Sequence, residues 1–119
     1  MAPTIVLQDG RPILTLGSPG GSAIIAYVVK VLVGVLDWKL DVQQAIDLPN
    51  FANRNLGAIE LERATPLVAL KPTLEAMGHK VSVTEFTSGI QAIHLWPDRL
   101  EGGADPRREG VVLGDTFRP

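Results

Sequence analysis

Cysteine is absent from the 119 residues. That excludes disulfides and thiol chemistry but does not fix a compartment. A strong charge of either sign is also lacking. Eleven Lys and Arg stand against thirteen Asp and Glu, a formal net charge of −2. Such a balance gives no electrostatic reason to expect nucleic acid or an acidic membrane as a partner. Long hydrophobic runs are missing as well. The longest, Ala23 to Leu36, is broken by Lys30 and Gly34, and it falls short of the roughly 20 apolar residues that a bilayer span takes. It reads as a core helix. The opening Met1-Ala2-Pro3-Thr4 runs directly into a strand-like segment, with no secretory signal pattern.

What is present is a globular composition: 45% hydrophobic and 20% charged residues. The length fits one domain with a modest core. Thr4 to Leu7 and Pro12 to Leu16 read as strands joined by an Asp9-Gly10 hairpin turn. A breaker cluster follows, Gly17-Ser18-Pro19-Gly20-Gly21-Ser22. Ser22 is placed to cap the next helix. That helix carries apolar residues in every direction, which predicts burial on all sides. Asp41 should cap a short helix from Val42 to Asp47, ended by Pro49. Ala58 to Leu61 is a candidate strand. Thr65-Pro66 opens a helix that Gly78 stops near Met77. Lys80 to Thr84, Gly89 to Leu95 and Leu100 to Gly103 read as strands, and the tail from Ala104 onward is turn-rich. The order of elements suits α+β or layered α/β packing.

The residues most suggestive of chemistry are Gly20 and Gly21. Two glycines between a strand and a helix let the backbone approach a ligand without an intruding Cβ. The first helical turn also has N–H groups with no intrahelical partner, which suit an anion or a developing oxyanion. The same pair equally suits a plain packing turn, and the residues alone do not choose. Neither a P-loop nor a dinucleotide fingerprint is present. His79 reads as a solvated turn residue and His94 as a packed strand residue. No second ligand falls at metal-binding spacing, so no metal or cofactor is expected. Asp105-Pro106-Arg107-Arg108-Glu109 is either a buried ion-pair hub or a solvated loop. The solvated loop is the default for a charge run. No serine or threonine has a visible activating base.

At Gly17 to Ser22 the sequence resembles the gamma-glutamyltranspeptidases, which are N-terminal-nucleophile hydrolases. The resemblance extends along nearly the whole chain. It includes Met1-Ala2-Pro3-Thr4-Ile5-Val6, Ala45-Ile46-Asp47-Leu48-Pro49, Leu74-Glu75-Ala76-Met77-Gly78-His79 and Gly103 to Gly110. It implies a single domain over residues 1–119, the C-terminal part of a small subunit, within an αββα sandwich of mixed or antiparallel sheet and packed helices. It implies an enzyme that cleaves gamma-glutamyl amides such as glutathione and passes the glutamyl group to water, amino acids or peptides. Gly20 and Gly21 take the oxyanion-hole and substrate-binding role by that match. The family's threonine nucleophile, its substrate-binding arginine and a serine pair would lie on chain upstream of Met1. This chain alone would then be inactive. Its partners would be the remainder of the small subunit and the large subunit. The parent enzyme would be periplasmic or secreted.

Two positions depart from the family pattern. Pro49-Asn50 stands where many members read Pro-Arg, and the ending Thr116-Phe117-Arg118-Pro119 differs from the familiar Gly-Tyr terminus. A related acylase (cephalosporin or poly-gamma-glutamate processing) and a non-catalytic binding or assembly module are the alternative readings. Isolated, the chain is expected to self-associate through apolar surface that the rest of the enzyme would cover.

Overall fold

The computed structural model describes residues 1–115; the terminal departure at 116–119 lies outside them. Two sheets and three helices are present among the described residues. β1 (Thr4–Gln8) and β2 (Arg11–Gly17) form the expected hairpin. Asp9 and Gly10 both have positive φ, 50° and 76°, the geometry of the tight turn whose twist matches paired strands. β6 (Gln91–Leu95) and β7 (Leu100–Ala104) extend this sheet in the order β1-β2-β6-β7, antiparallel throughout.

A smaller sheet holds β3 (Phe51–Asn53), β4 (Ile59–Glu62) and β5 (Val81–Thr84). β3 pairs with β4 antiparallel, and β4 with β5 parallel. A parallel pair needs a crossover. Here it is a 3-10 turn, Pro66–Leu70, followed by α3 (Lys71–Ala76). The continuous helix read from Thr65 to Met77 is therefore divided. Gly78 ends it as expected: with φ of 93° it lets its own N–H reach Glu75 O and that of His79 reach Leu74 O.

α1 (Ile24–Leu36) and α2 (Val42–Asp47) cover one face of the four-stranded sheet. Asp41 caps α2 through a complete capping box with Gln44. The helices cross where Gly34 meets Ala45, so closely that a Cβ on Gly34 would lie 2.8 Å from the Ala45 methyl. Leu14, Val31, Ile46 and Ile90 are fully buried between the layers. Burial of each such side chain stabilises the fold by about 1.5–3 kcal/mol.

Burial of α1 on all sides is not observed. Tyr27, Val28, Val31, Gly34 and Val35 form its buried stripe, while Ile25 is 74% exposed and Val29 49%. The described residues cover only one side of the helix. The four-stranded sheet repeats the pattern, because Ile5 and Ile93 flank Thr15 on the face away from the helices and both are exposed. Apolar residues on both faces mark a sheet built to be covered twice, as the middle layer of a sandwich is.

Candidate functional site

β2 ends at Gly17, and the chain turns through Ser18-Pro19-Gly20-Gly21 before α1. Ser18 is fully buried. Its Oγ accepts the Gly89 N–H at 3.1 Å and donates to its neighbour's carbonyl, Pro19 O, at 2.7 Å. Gly20 has φ of 137° and Gly21 φ of 59°, values that favour glycine. The two glycines differ in surroundings. A Cβ on Gly20 would fall 2.5 Å from the Tyr27 ring, whereas one on Gly21 would meet open space.

This backbone makes Gly21–Ala23 a 3-10 turn, so α1 starts at Ile24 with no side-chain cap. The capping role read for Ser22 is therefore not observed. Its Oγ instead accepts from Arg54 Nη1 at 3.1 Å. Within the turn, Ala23 N donates to Gly20 O. The N–H groups of Gly20 and Gly21 have no acceptor among the described residues. Beside the turn is a cavity of ≈ 120 Å³, lined in part by Gly20, Tyr27, Arg54, Glu60, Phe86 and Thr87. Tyr27 and Phe86 meet edge to face, 5.9 Å between centroids, and burial raises the Tyr27 phenol above its ordinary pKa.

Arg54 follows β3 and donates through Nε and Nη2 to the Glu60 carboxylate on β4. The bond to Glu60 raises the guanidinium pKa further. Neither Arg54 nor Glu60 stands out in the sequence, because an Arg and a Glu six residues apart across a short hairpin carry no motif.

The charge run at residues 105–109 is not simply a solvated loop. Asp105 is buried and accepts from Ser88 Oγ at 2.6 Å, Ile90 N at 3.3 Å, Arg107 N at 3.0 Å and Arg107 Nη1 at 3.1 Å. Arg107 also pairs with buried Glu62 through Nε and Nη2. Its remaining bonds go to Ile46 O and Leu48 O, both at 3.2 Å. Burial alone would lower the Arg107 pKa, but its bonds and attraction to Glu62 and Asp105 raise it overall. The hub reading thus holds for Asp105 and Arg107, while Arg108 and Glu109 are exposed. The solvated-loop default fails because Glu62, distant in sequence, supplies the partner. Asn50 is buried beside this hub, donating from N to Glu62 Oε2 at 2.7 Å and from Nδ2 to Ser88 Oγ at 2.9 Å.

The histidines stay apart from this region. His79 is exposed. His94 stacks on Trp96, 4.1 Å between centroids. No group of three potential metal ligands occurs among the described residues.

Fold and turn together define the class first: an α+β layer of the N-terminal-nucleophile hydrolase type, with a glycine turn leading into its long helix. The gamma-glutamyltranspeptidase family model matches residues 1–115, and the chain belongs to that family. It is 40% identical over 109 residues to the glutathione hydrolase proenzyme of Escherichia coli, covering 90% of this chain and 19% of that protein. The acylase ACY 1 proenzyme of a Pseudomonas species is 35% identical over 115 residues, covering 95% of this chain and 20% of that protein. Among solved structures, the gamma-glutamyltranspeptidase of Pseudomonas nitroreducens aligns with a TM-score of 0.84 at 34% identity, covering 96% of this chain and 61% of that one. That of Helicobacter pylori gives 0.83 at 30% identity, covering 91% and 61%. The chain spans about a fifth of the length of the curated relatives it matches.

Proposed function

We propose that this chain is a single folded unit, the C-terminal part of the small subunit of a gamma-glutamyltranspeptidase, and that it supplies the oxyanion turn. The observation that carries the proposal is the pair of unpartnered N–H groups at Gly20 and Gly21, beside a cavity and ahead of α1. Attack on a gamma-glutamyl amide puts negative charge on the carbonyl oxygen. Donors already held in place stabilise that charge without reorganising. The positive end of α1 acts in the same direction. The nucleophile belongs to another part of the enzyme, a threonine whose own amine is the base, as the family resemblance implies. Substrates in this reading are gamma-glutamyl amides such as glutathione, and acceptors are water, amino acids or peptides. The partners are the rest of the small subunit and the large subunit; the word proenzyme in the relatives' names supports a processed parent. A periplasmic or secreted parent belongs to the same reading.

The test is turnover of a chromogenic gamma-glutamyl amide. The enzyme expressed from the complete reading frame should turn over, and this chain alone should not. In the complete enzyme, Gly20→Val keeps the N–H but forces the turn away from the Tyr27 ring, and the misplaced donor should lower kcat by up to about 10²–10³, the loss typical of one oxyanion donor. Robust turnover by the chain alone defeats the proposal. Light scattering should show the isolated chain associating through the bare face of α1, where Ile25, Val29, Trp38 and Phe51 line a groove of ≈ 670 Å³. A clean monomer at high concentration counts against that. The 35% identity to an acylase proenzyme favours one second reading, a neighbouring acylase specificity. A panel of acyl amides given to the complete enzyme separates the two.

A further inference from the structure

The glycine turn is moored at both ends by serine hydroxyls. Upstream, Ser18 Oγ accepts the Gly89 N–H. Downstream, Ser22 Oγ accepts from Arg54 Nη1. The stretch between them contains the two residues with the greatest backbone freedom, and it carries the donors that an oxyanion needs held still. Arg54 is itself held, because its other two nitrogens grip both oxygens of Glu60, whose side chain is largely covered while that of Arg54 is part-exposed. Such a two-point guanidinium–carboxylate fork sets orientation as well as distance. Glu60 lies on β4, the central strand of the smaller sheet. Ser22, Arg54 and Glu60 therefore tie that sheet to the turn.

We propose that Arg54 is a positioning residue, locking the Gly20-Gly21 turn to β4 so that its two N–H groups face the reacting oxygen. This rests on the oxyanion reading above. The role needs three nitrogens on one rigid plane, two for Glu60 and one for Ser22. A lysine supplies a single charged point and no fork. Arg54 makes no contact with reacting atoms in this role; it acts through Ser22.

In the complete enzyme, Arg54→Ala should lower kcat roughly 10-fold, a partial form of the ~10²-fold loss that a misplacement of 1 Å causes. KM should stay within about two-fold, since the interaction concerns the transition state. Ser22→Ala should act in the same direction. The double variant should be no worse than Arg54→Ala, because both break one linkage. Arg54→Lys should recover little. The inference is overturned by a kcat within two-fold of the parent in Arg54→Ala, by additive losses in the double variant, or by full activity in Arg54→Lys. Should Arg54→Ala fail to fold, Ser22→Ala at its exposed position carries the test, and an unchanged kcat there overturns the inference. Gly20→Val tells this failure from that of the underlying reading. Full activity in Gly20→Val removes the oxyanion assignment itself. A Gly20→Val enzyme that is inactive yet keeps the parent's thermal melt, beside a fully active Arg54→Ala, removes only the positioning role.

Discussion

Two polar regions meet at adjacent residues, Ser88 and Gly89, and they treat their hydrogen-bonding groups in opposite ways. Ser88 belongs to the hub, where the Asp105 carboxylate accepts four bonds and all three guanidinium nitrogens of Arg107 are engaged. Gly89 holds the other region, the turn at Gly20-Gly21, whose two N–H groups have no acceptor among the described residues. Buried polar groups are nearly always paired, since leaving one unmade costs about 1–3 kcal/mol. Saturation is what a region needs when it holds the fold. Donors left open at a partly exposed turn can bond water or an incoming group, and that availability is what the proposed oxyanion role requires. The one lapse inside the hub, Asn50 Oδ1 without a partner, sits where many family members carry arginine.

Breaking the hub should have the largest effect on stability. Arg107→Ala leaves Glu62 and Asp105, both buried, without their cation. Removing one partner of a buried pair typically costs about 3–5 kcal/mol, against a total of about 5–15 kcal/mol for a domain. Urea unfolding of this chain should show the midpoint collapse. The exposed pair Arg63–Glu85, 3.7 Å apart, is the reference, and Arg63→Ala should cost under about 1 kcal/mol. Equal losses in the two variants would mean that the hub is not a structural anchor.

The turn is sharpened by comparing its two glycines. Gly20→Ala meets both a φ of 137° and the Tyr27 ring at 2.5 Å, a combination expected to cost about 3 kcal/mol. Gly21→Ala meets only a left-handed backbone in open space, for about 1 kcal/mol. Thermal melts of the two variants check the order. If Gly21→Ala were the more damaging, the packing of Tyr27 against Gly20 would not be what shapes the turn.

These local features are the ones most legible in the sequence. Asp9-Gly10, the Asp41 cap and the Gly78 stop are each decided within four residues, and each forms as read. Gly20-Gly21 is visible for the same reason. The cap expected of Ser22 fails because the positive φ values upstream force a 3-10 turn, and the hydroxyl is left to Arg54. β3 escapes notice since three residues show no periodicity. The hub is invisible because Glu62 and Arg107 are distant in sequence and no local pattern joins them. The apolar circumference of α1 is legible, yet its meaning depends on what covers it, and the described residues cover one side.

The last comparison concerns Lys30, which faces the hub from α1. Its Nζ donates to Ile46 O at 2.8 Å and Leu48 O at 2.7 Å, the two carbonyls that Arg107 also contacts. Burial, then repulsion from Arg107, lowers its pKa from 10.5 to about 8. Between these values the unfolded chain holds a proton that the folded chain has released. Stability therefore rises with pH across that window and gains nothing from this group below pH 8. One proton sets a ceiling of about 1.4 kcal/mol per pH unit, and partial solvent access reduces it. Urea midpoints from pH 7 to 10 should climb for the parent relative to Lys30→Met, which has no proton to release. Parallel curves would show that Lys30 keeps its ordinary affinity for the proton. The hub would then be accommodating two cations on the same carbonyls without strain, and its saturation would reach further along α1 than the burial of Lys30 suggests.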